Sequence, residues 1–194
     1  MDSLSASDIP ERIVTQRLVL LRPKREDAKL ILVAAEESLT ELARWQAWAQ
    51  EMPSLAAVET HIARTRASWE LKESHLFHLF THNDRFLGTC GLEKIDWQIG
   101  AFEIGYWLRT SAVGNGYMSE AVSALEREVF ERLGGKCVSI KCDALNDRSA
   151  AIPKRLGYRL DGVLRCERVD PLGNAQDTMV WSKTREEYFE QPLG

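Results

Sequence analysis

The hydrophobic positions of this chain switch between two periods, and the switches mark its elements. Residues 15–22 (TQRLVLLR) are rich in leucine and valine and stop at Pro23, the pattern of a strand. Asp27 opens a helical stretch to Glu37, and a second short helical piece holds Leu42, Trp45 and Trp48. Ser54, after Pro53, can cap a helix whose Leu55, Val58, Ile62, Thr65 and Trp69 share one face. From His75 the period shortens: residues 75–81, 85–95 and 101–109 are β-rich runs separated by turn residues, which predicts an antiparallel meander. Helical spacing returns at Met118, Ala121, Val122, Leu125, Val129 and Leu133 and ends at Gly134-Gly135. Residues 136–143 then read as a strand and 147–156 as a short helix closed by Gly157. Residues 158–169 and 177–183 form a last strand pair around a turn at 171–174. A strand, helix, strand unit over 101–142 requires a right-handed crossover between parallel strands, so the sheet is mixed.

The most informative segment is Phe102 to Glu120, FEIGYWLRTSAVGNGYMSE, where a strand passes through a glycine-containing loop directly into a helix. Gly114 and Gly116 let backbone amides approach a ligand, and the helix that follows adds unpaired N-terminal amides and the positive end of its dipole. This predicts a pyrophosphate cradle. Asn115-Gly116 alone would suggest a hairpin turn, but a hairpin needs strands on both sides and the sequence after Gly116 has helical period. The loop lacks the Lys-Ser/Thr of a nucleotide-hydrolysing P-loop, and Ser119 occupies the third glycine position of a dinucleotide fingerprint.

Residues 103–120 resemble the signature of the GCN5-related N-acetyltransferases (GNAT), and more closely the RimJ/RimL-like branch that acetylates protein N-termini. A second segment agrees: Asn146-Asp147-Arg148-Ser149, followed by Leu156-Gly157-Tyr158, is similar to that family's N-x-x-S and L-G-[FY] motif. Residues 42–49 (LARWQAWA) are similar to the branch's tryptophan-containing loop, and the resemblance covers residues 12–181. It implies an α+β, three-layer GNAT fold. The central mixed sheet would have about seven strands, flanking helices and a V-shaped split between two parallel strands. It also implies acetyl-CoA as donor and no metal. The pyrophosphate would lie in the loop of Val113, Gly114, Asn115, Gly116, Tyr117 and Met118, and the pantetheine arm in the split. Two departures stand out. Ser111 replaces a long donor side chain near the phosphates, and Pro153 is predicted to kink or delay the second motif's helix.

Acyl transfer to an amine needs a neutral nucleophile, a polarised carbonyl and a proton for the departing thiolate. The resemblance implies Glu103 as general base, with a salt-bridge or substrate-positioning role as the alternative. It implies a backbone amide near Trp107 or Leu108 for the carbonyl. For the thiolate it implies Ser149, which could instead only start a helix, or Tyr158, which could instead be core. Asn146 would fix the pantetheine amides. Trp45 and Trp48, three apart, would wall the acceptor site or pack in the core. Glu167 is a further carboxylate near a functional glutamate of RimL-like enzymes, although a count from Ser149 falls on Arg168.

Composition adds bounds. The 194 residues suit one domain, drawn here as a flexible tail at 1–11, a domain at 12–185 and a C-terminal tail at 186–194. Hydrophobic residues at 44% and charged residues at 28% describe a chain that folds. The 25 Lys plus Arg against 29 Asp plus Glu argue against nucleic acid as a partner. No apolar run is long enough for a bilayer, and residues 1–10 lack the order of a secretory signal. Four cysteines without a CxxC pair read as reduced thiols of a cytoplasmic protein, and the four histidines show no metal spacing. At neutral pH an α-amine of pKa about 7.8 is neutral roughly one time in seven, and a lysine about once in a few thousand. The acceptor expected is therefore a protein or peptide N-terminus. A small amine such as an antibiotic or polyamine, a non-catalytic coenzyme A-binding module and a homodimer stay open.

Overall fold

The computed structural model describes residues 9–170 and 173–190. Residues 1–8 of the expected N-terminal tail, residues 191–194 of the expected C-terminal tail and positions 171–172 of the expected turn lie outside the described residues.

One mixed sheet carries the fold. Its strands are β1 (Arg12–Val14), β2 (Leu18–Leu21), β3 (His75–Thr81), β4 (Phe86–Asp96), β5 (Ala101–Leu108), β6 (Cys137–Asp143), β7 (Arg159–Val169) and β8 (Ala175–Thr184). They lie in the order β1-β2-β3-β4-β5-β6-β8-β7, and β5 and β6 form the parallel pair. Eight strands replace the seven or so anticipated, because β1 precedes the run predicted over 15–22, of which only 18–21 is strand, and pairs back on it as a hairpin. Thr15 ends the first arm: its hydroxyl and amide both bond the Leu18 carbonyl, folding β1 back on β2.

Helices α1 (Ala28–Leu42), α2 (Leu55–Glu70), α3 (Tyr117–Arg127), α4 (Asp147–Arg155) and α5 (Arg185–Glu190) cover the sheet. Ser54 caps α2 as its sequence suggests, its Oγ accepting from the Ala57 amide at 3.2 Å. Two predictions fail here. The helix begun near Asp27 does not stop at Glu37 but runs to Leu42, so Trp45 and Trp48 do not share a helical face: Trp45 follows the helix and Trp48 sits in a separate 3-10 turn, Ala47–Ala49. Residues 185–190, assigned mostly to a tail, form α5, whose Tyr188 ring packs on Phe130 at 4.8 Å.

Strand alternation divides the core between the two faces of the sheet. Phe77 and Leu79 of β3 join Phe102, Ile104, Met118, Leu125 and Phe130 on one face, while Phe80 joins Phe86, Ile31, Val58 and Ile62 under α1 and α2 on the other. The first cluster also encloses an ion pair. Lys183 of β8 and Glu126 of α3 are 2% and 3% exposed and 2.9 Å apart, and Lys183 also donates to the Leu156 carbonyl at the end of α4. The lysine thus ties α3, α4 and β8 together.

Removing one member of a buried pair leaves the other charge without a partner, at about 3–5 kcal/mol, whereas replacing both by apolar residues is often near neutral. Lys183→Met should therefore lower unfolding stability by about that amount in urea titrations. Lys183→Met with Glu126→Leu should recover most of the loss, and a double variant as unstable as the single would contradict this reading of the pair.

Candidate active site

The parallel pairing of β5 and β6 ends early. Registered partners run from Ala101↔Cys137 to Ile104↔Ile140, yet both strands continue, β5 to Leu108 along β4 and β6 to Asp143 along β8. Beyond Ile104 the two strands part, and a cavity opens on each side of the gap. One, of about 330 Å³, is lined by Trp107, Leu108, Val113, Gly114, Gly116, Tyr117 and Met118 among others. The second, of about 310 Å³, is lined by Glu93, Lys94, Glu103, Lys141, Glu167 and Arg168 among others. Trp45, Gln46, Tyr106, Asn146 and Ser149 line both, so the cavities meet at these side chains.

The first cavity is shaped by the glycine loop. Gly114 and Gly116 take φ of 83° and 75°, a region costly for residues with a Cβ, and Gly116 is the N-cap of α3. The first intrahelical bond is made by the Glu120 amide to the Gly116 carbonyl, so the amides of Tyr117, Met118 and Ser119 precede it. Asn115 does not line the cavity; its side-chain amide donates to the Ala112 and Val113 carbonyls and holds the loop. Arg148 and Arg155 also line this cavity, Arg155 bonded to Ser119 Oγ at 2.9 Å and Arg148 paired with Glu41 at 3.2 Å. Open amides, a helix dipole and two cations together fit a pyrophosphate group.

Two supports of this loop come from far along the chain and were missed in the sequence. Glu37 of α1 accepts from the Ser111 amide at 2.7 Å and from Arg109 Nε at 2.9 Å, and the Arg109 guanidinium holds its carboxyl down at about 2. Arg17, in the β1–β2 turn, donates to the Asn115 carbonyl at 2.9 Å and to Glu120 Oε2 at 2.6 Å. Ser111, expected to leave a gap, accepts from Arg85 at 2.7 Å, so an arginine from β-meander residues reaches the position.

The second motif folds as an N-capped helix. Asn146 Oδ1 accepts from the Ser149 amide at 3.0 Å and caps the helix, while the residue also lines both cavities. Pro153 neither delays nor interrupts α4, which runs unbroken over Asp147–Arg155. Its missing amide leaves the Ser149 carbonyl without its usual helical donor. The Tyr106 hydroxyl donates to that carbonyl at 3.2 Å and lies 3.2 Å from Ser149 Oγ. Tyr106, overlooked as a candidate, therefore sits beside Ser149 at the junction of the cavities, and burial pushes its pKa up.

Glu103 lines the second cavity with Lys94 at 3.4 Å and Lys141 at 3.6 Å, and Lys141 also reaches Glu167 at 3.8 Å. Tyr158 does not join them. It lines neither cavity, is 5% exposed, and has its ring under the Lys183 ammonium, with its hydroxyl neighbouring Glu126. It belongs to the core. Trp48 also lies outside both cavities and packs on Trp107 at 5.5 Å between centroids. Of the two tryptophans only Trp45 reaches the junction.

A family model described as acetyltransferase (GNAT) domain matches residues 17–159. The chain belongs to the acetyltransferase (GNAT) family. Among curated relatives of this GNAT domain, the uncharacterized N-acetyltransferase p20 of Bacillus licheniformis is 32% identical over 105 residues, 54% of this chain and 58% of that protein. The ribosomal-protein-serine acetyltransferase of Escherichia coli (strain K12) is 31% identical over 90 residues, 46% of this chain and 50% of that protein. These matches span about half of each relative. The structure of RimL, a ribosomal L7/L12 alpha-N-protein acetyltransferase in complex with coenzyme A, superposes with a TM-score of 0.84. Identity is 21%, covering 90% of this chain and 98% of that one. The mixed sheet with its parallel pair is thus the GNAT fold. Among the described residues no cluster of three or more His, Cys, Asp or Glu could hold a metal, and no helix is long and apolar enough to cross a membrane.

A carboxylate with a depressed folded pKa stabilises the native state above its unfolded pKa, and that contribution is lost as pH falls through the folded value. For Glu37 the window runs from its ordinary 4.5 down to about 2. Glu37→Gln should flatten the stability loss over that range in circular-dichroism acid titrations, and should weaken coenzyme A binding about tenfold, the equivalent of one charged hydrogen bond. An unchanged acid limb would contradict the assignment.

Proposed function

We propose that this protein transfers the acetyl group of acetyl-CoA to a primary amine, the N-terminal α-amine of a protein or peptide, by direct attack in a ternary complex. The observation that carries this reading is the meeting of two chemically different cavities at Ser149 and Tyr106. One has anion-binding amides and arginines, the other carboxylates suited to an ammonium group. The family relationship and the relative named as a ribosomal-protein-serine acetyltransferase support the same donor and acceptor classes.

In this scheme acetyl-CoA supplies the activated acyl group. The Tyr117, Met118 and Ser119 amides with Arg148 and Arg155 hold its phosphates, and the open edge of β5 at Tyr106, Trp107 and Leu108 receives its pantetheine arm. A backbone amide of Trp107 or Leu108 polarises the thioester carbonyl. Ser149, with Tyr106 beside it, delivers the proton to the departing sulfur. Glu103, compensated by Lys94 and Lys141, and Glu167 orient the acceptor ammonium, and Trp45 walls it in. The rival reading, a coenzyme A-binding module without turnover, drew on Ser111 and Pro153. Both motives lose force, since Arg85 serves Ser111 and α4 is uninterrupted.

The test is mass spectrometry of N-terminal peptides and small amines incubated with the protein and labelled acetyl-CoA. Label on peptide α-amines supports the proposal, and label on none of the acceptors overturns it. Ser149→Ala should lower kcat about 10²-fold with little change in coenzyme A affinity. Tyr158→Phe should leave kcat unchanged, and a large loss there would return the acid role to Tyr158.

A further inference from the structure

The floor of the second cavity contains a carboxylate that no motif marks. β4 pairs with β5 in regular register up to Leu92↔Ile104, and the next pair is Lys94↔Glu103, so Glu93 is an extra residue in the ladder. A bulge of this kind bends the strand and re-aims the side chain next to it. Here it brings Glu93 and Lys94 into the same cavity as Glu103, where strict alternation would have sent neighbours to opposite faces.

The partner strand accommodates this displaced side chain. A Cβ on Gly105 would lie 2.0 Å from Glu93 Cδ and Oε1, so the carboxylate rests directly on the bare Gly105 backbone. Glycine at 105, one residue before Tyr106, is what allows it to sit there. Glu103 is compensated by two lysines, Lys94 and Lys141, whereas no hydrogen bond or ion pair to Glu93 occurs among those described. The other charged groups lining the cavity are Asp143, Glu167 and Arg168. Glu93 is exposed where it faces the cavity, and the protein packed on its other side, the Gly105 backbone included, raises its pKa. Repulsion from Glu103 adds to this and Lys94 opposes it. A carboxylate that binds a proton more readily than an ordinary one is better matched to taking it from an amine.

We propose that Glu93, rather than Glu103, is the proton acceptor for the incoming amine. The inference rests on the acetyltransferase reading above. The acceptor ammonium gives one proton to the Glu93 carboxylate. The freed nitrogen forms the C–N bond to the thioester carbonyl carbon as the C–S bond breaks. The second proton of the attacking nitrogen passes to the departing sulfur by way of Ser149, and Glu93 returns its proton to solvent. One amide, one thiol and one solvent proton result, which balances the reaction.

The test compares pH profiles of kcat/KM for the wild type, Glu93→Gln and Glu103→Gln, using two peptides whose α-amines differ in pKa. With the base in place the enzyme uses the ammonium form, so the wild-type acid limb should be the same for both peptides. Glu93→Gln should lower kcat/KM about 10²-fold at neutral pH. Its limb should then follow each peptide's own amine, because only the neutral fraction can react. Glu103→Gln should keep the wild-type limb. Gly105→Ala, which displaces the carboxylate without removing its charge, should reproduce the Glu93→Gln profile. Coenzyme A titration of both Glu93→Gln and Gly105→Ala should match the wild type, since Glu93 lies outside the donor cavity. A Glu93→Gln enzyme that keeps the wild-type limb, or that changes only KM, overturns the proposal while the acetyltransferase reading stands. Absence of transfer by the wild type would overturn that reading and this inference with it.

Discussion

The site depends on one constraint: two parallel strands, β5 and β6, that hydrogen-bond for four residue pairs and then separate. Up to Ile104 and Ile140 the pair is ordinary buried sheet, anchored by Phe102, Ile104, Val138 and Ile140 in the core. Past that point each strand is still held on its outer side, β5 by β4 and β6 by β8. The gap is therefore bounded by rigid ladders and not by loops. Backbone groups along an open strand edge are strong donors and acceptors that favour a partner. A gap of this kind passing between two cavities is suited to an extended amide-bearing chain, with the reactive end emerging at the far side.

The elements around the gap each answer a local consequence of it. β5, released from β6, leads through the Thr110–Ala112 turn into the glycine loop, and α1 secures that turn through Glu37 and through Ser38, which accepts from the Thr110 amide at 2.9 Å. β6, released from β5, leads into the Asn146 cap, and the cap sets Ser149 beside Tyr106. Charge follows the same division. Glu120 near the start of α3 would repel an anion, but Arg17 and Thr15 engage both its oxygens, leaving the helix amides free to act. On the other side of the gap carboxylates dominate, with lysines limiting their repulsion.

What the sequence made legible is what local spacing encodes. The meander, the crossover and the glycine loop entering α3 are all carried within short windows, and so are the capped α2 and the pairing of the two motifs. What escaped it depends on contacts between distant residues. Glu37 and Arg17 reach the loop from 74 and 98 positions away, and nothing in their own surroundings distinguishes them from solvated charges. The first arm of the N-terminal hairpin, 12–14, was missed and its turn read as strand because Thr15 turns the chain by a short-range bond rather than by glycine or proline. Pro153 was readable as a missing donor, but the acceptor it frees finds Tyr106 only in three dimensions. Glu93 was hidden for a related reason: a bulge is a mismatch between two strands and leaves no mark on either one alone.

The central claim is that the gap between β5 and β6 seats the acyl donor. It is tested most directly by amide hydrogen exchange with and without coenzyme A. The account predicts slowed exchange at Tyr106, Trp107 and Leu108 and at Tyr117, Met118 and Ser119, with β1 unchanged. Binding that protects neither group of amides, or that protects amides only outside the two cavities, would contradict it.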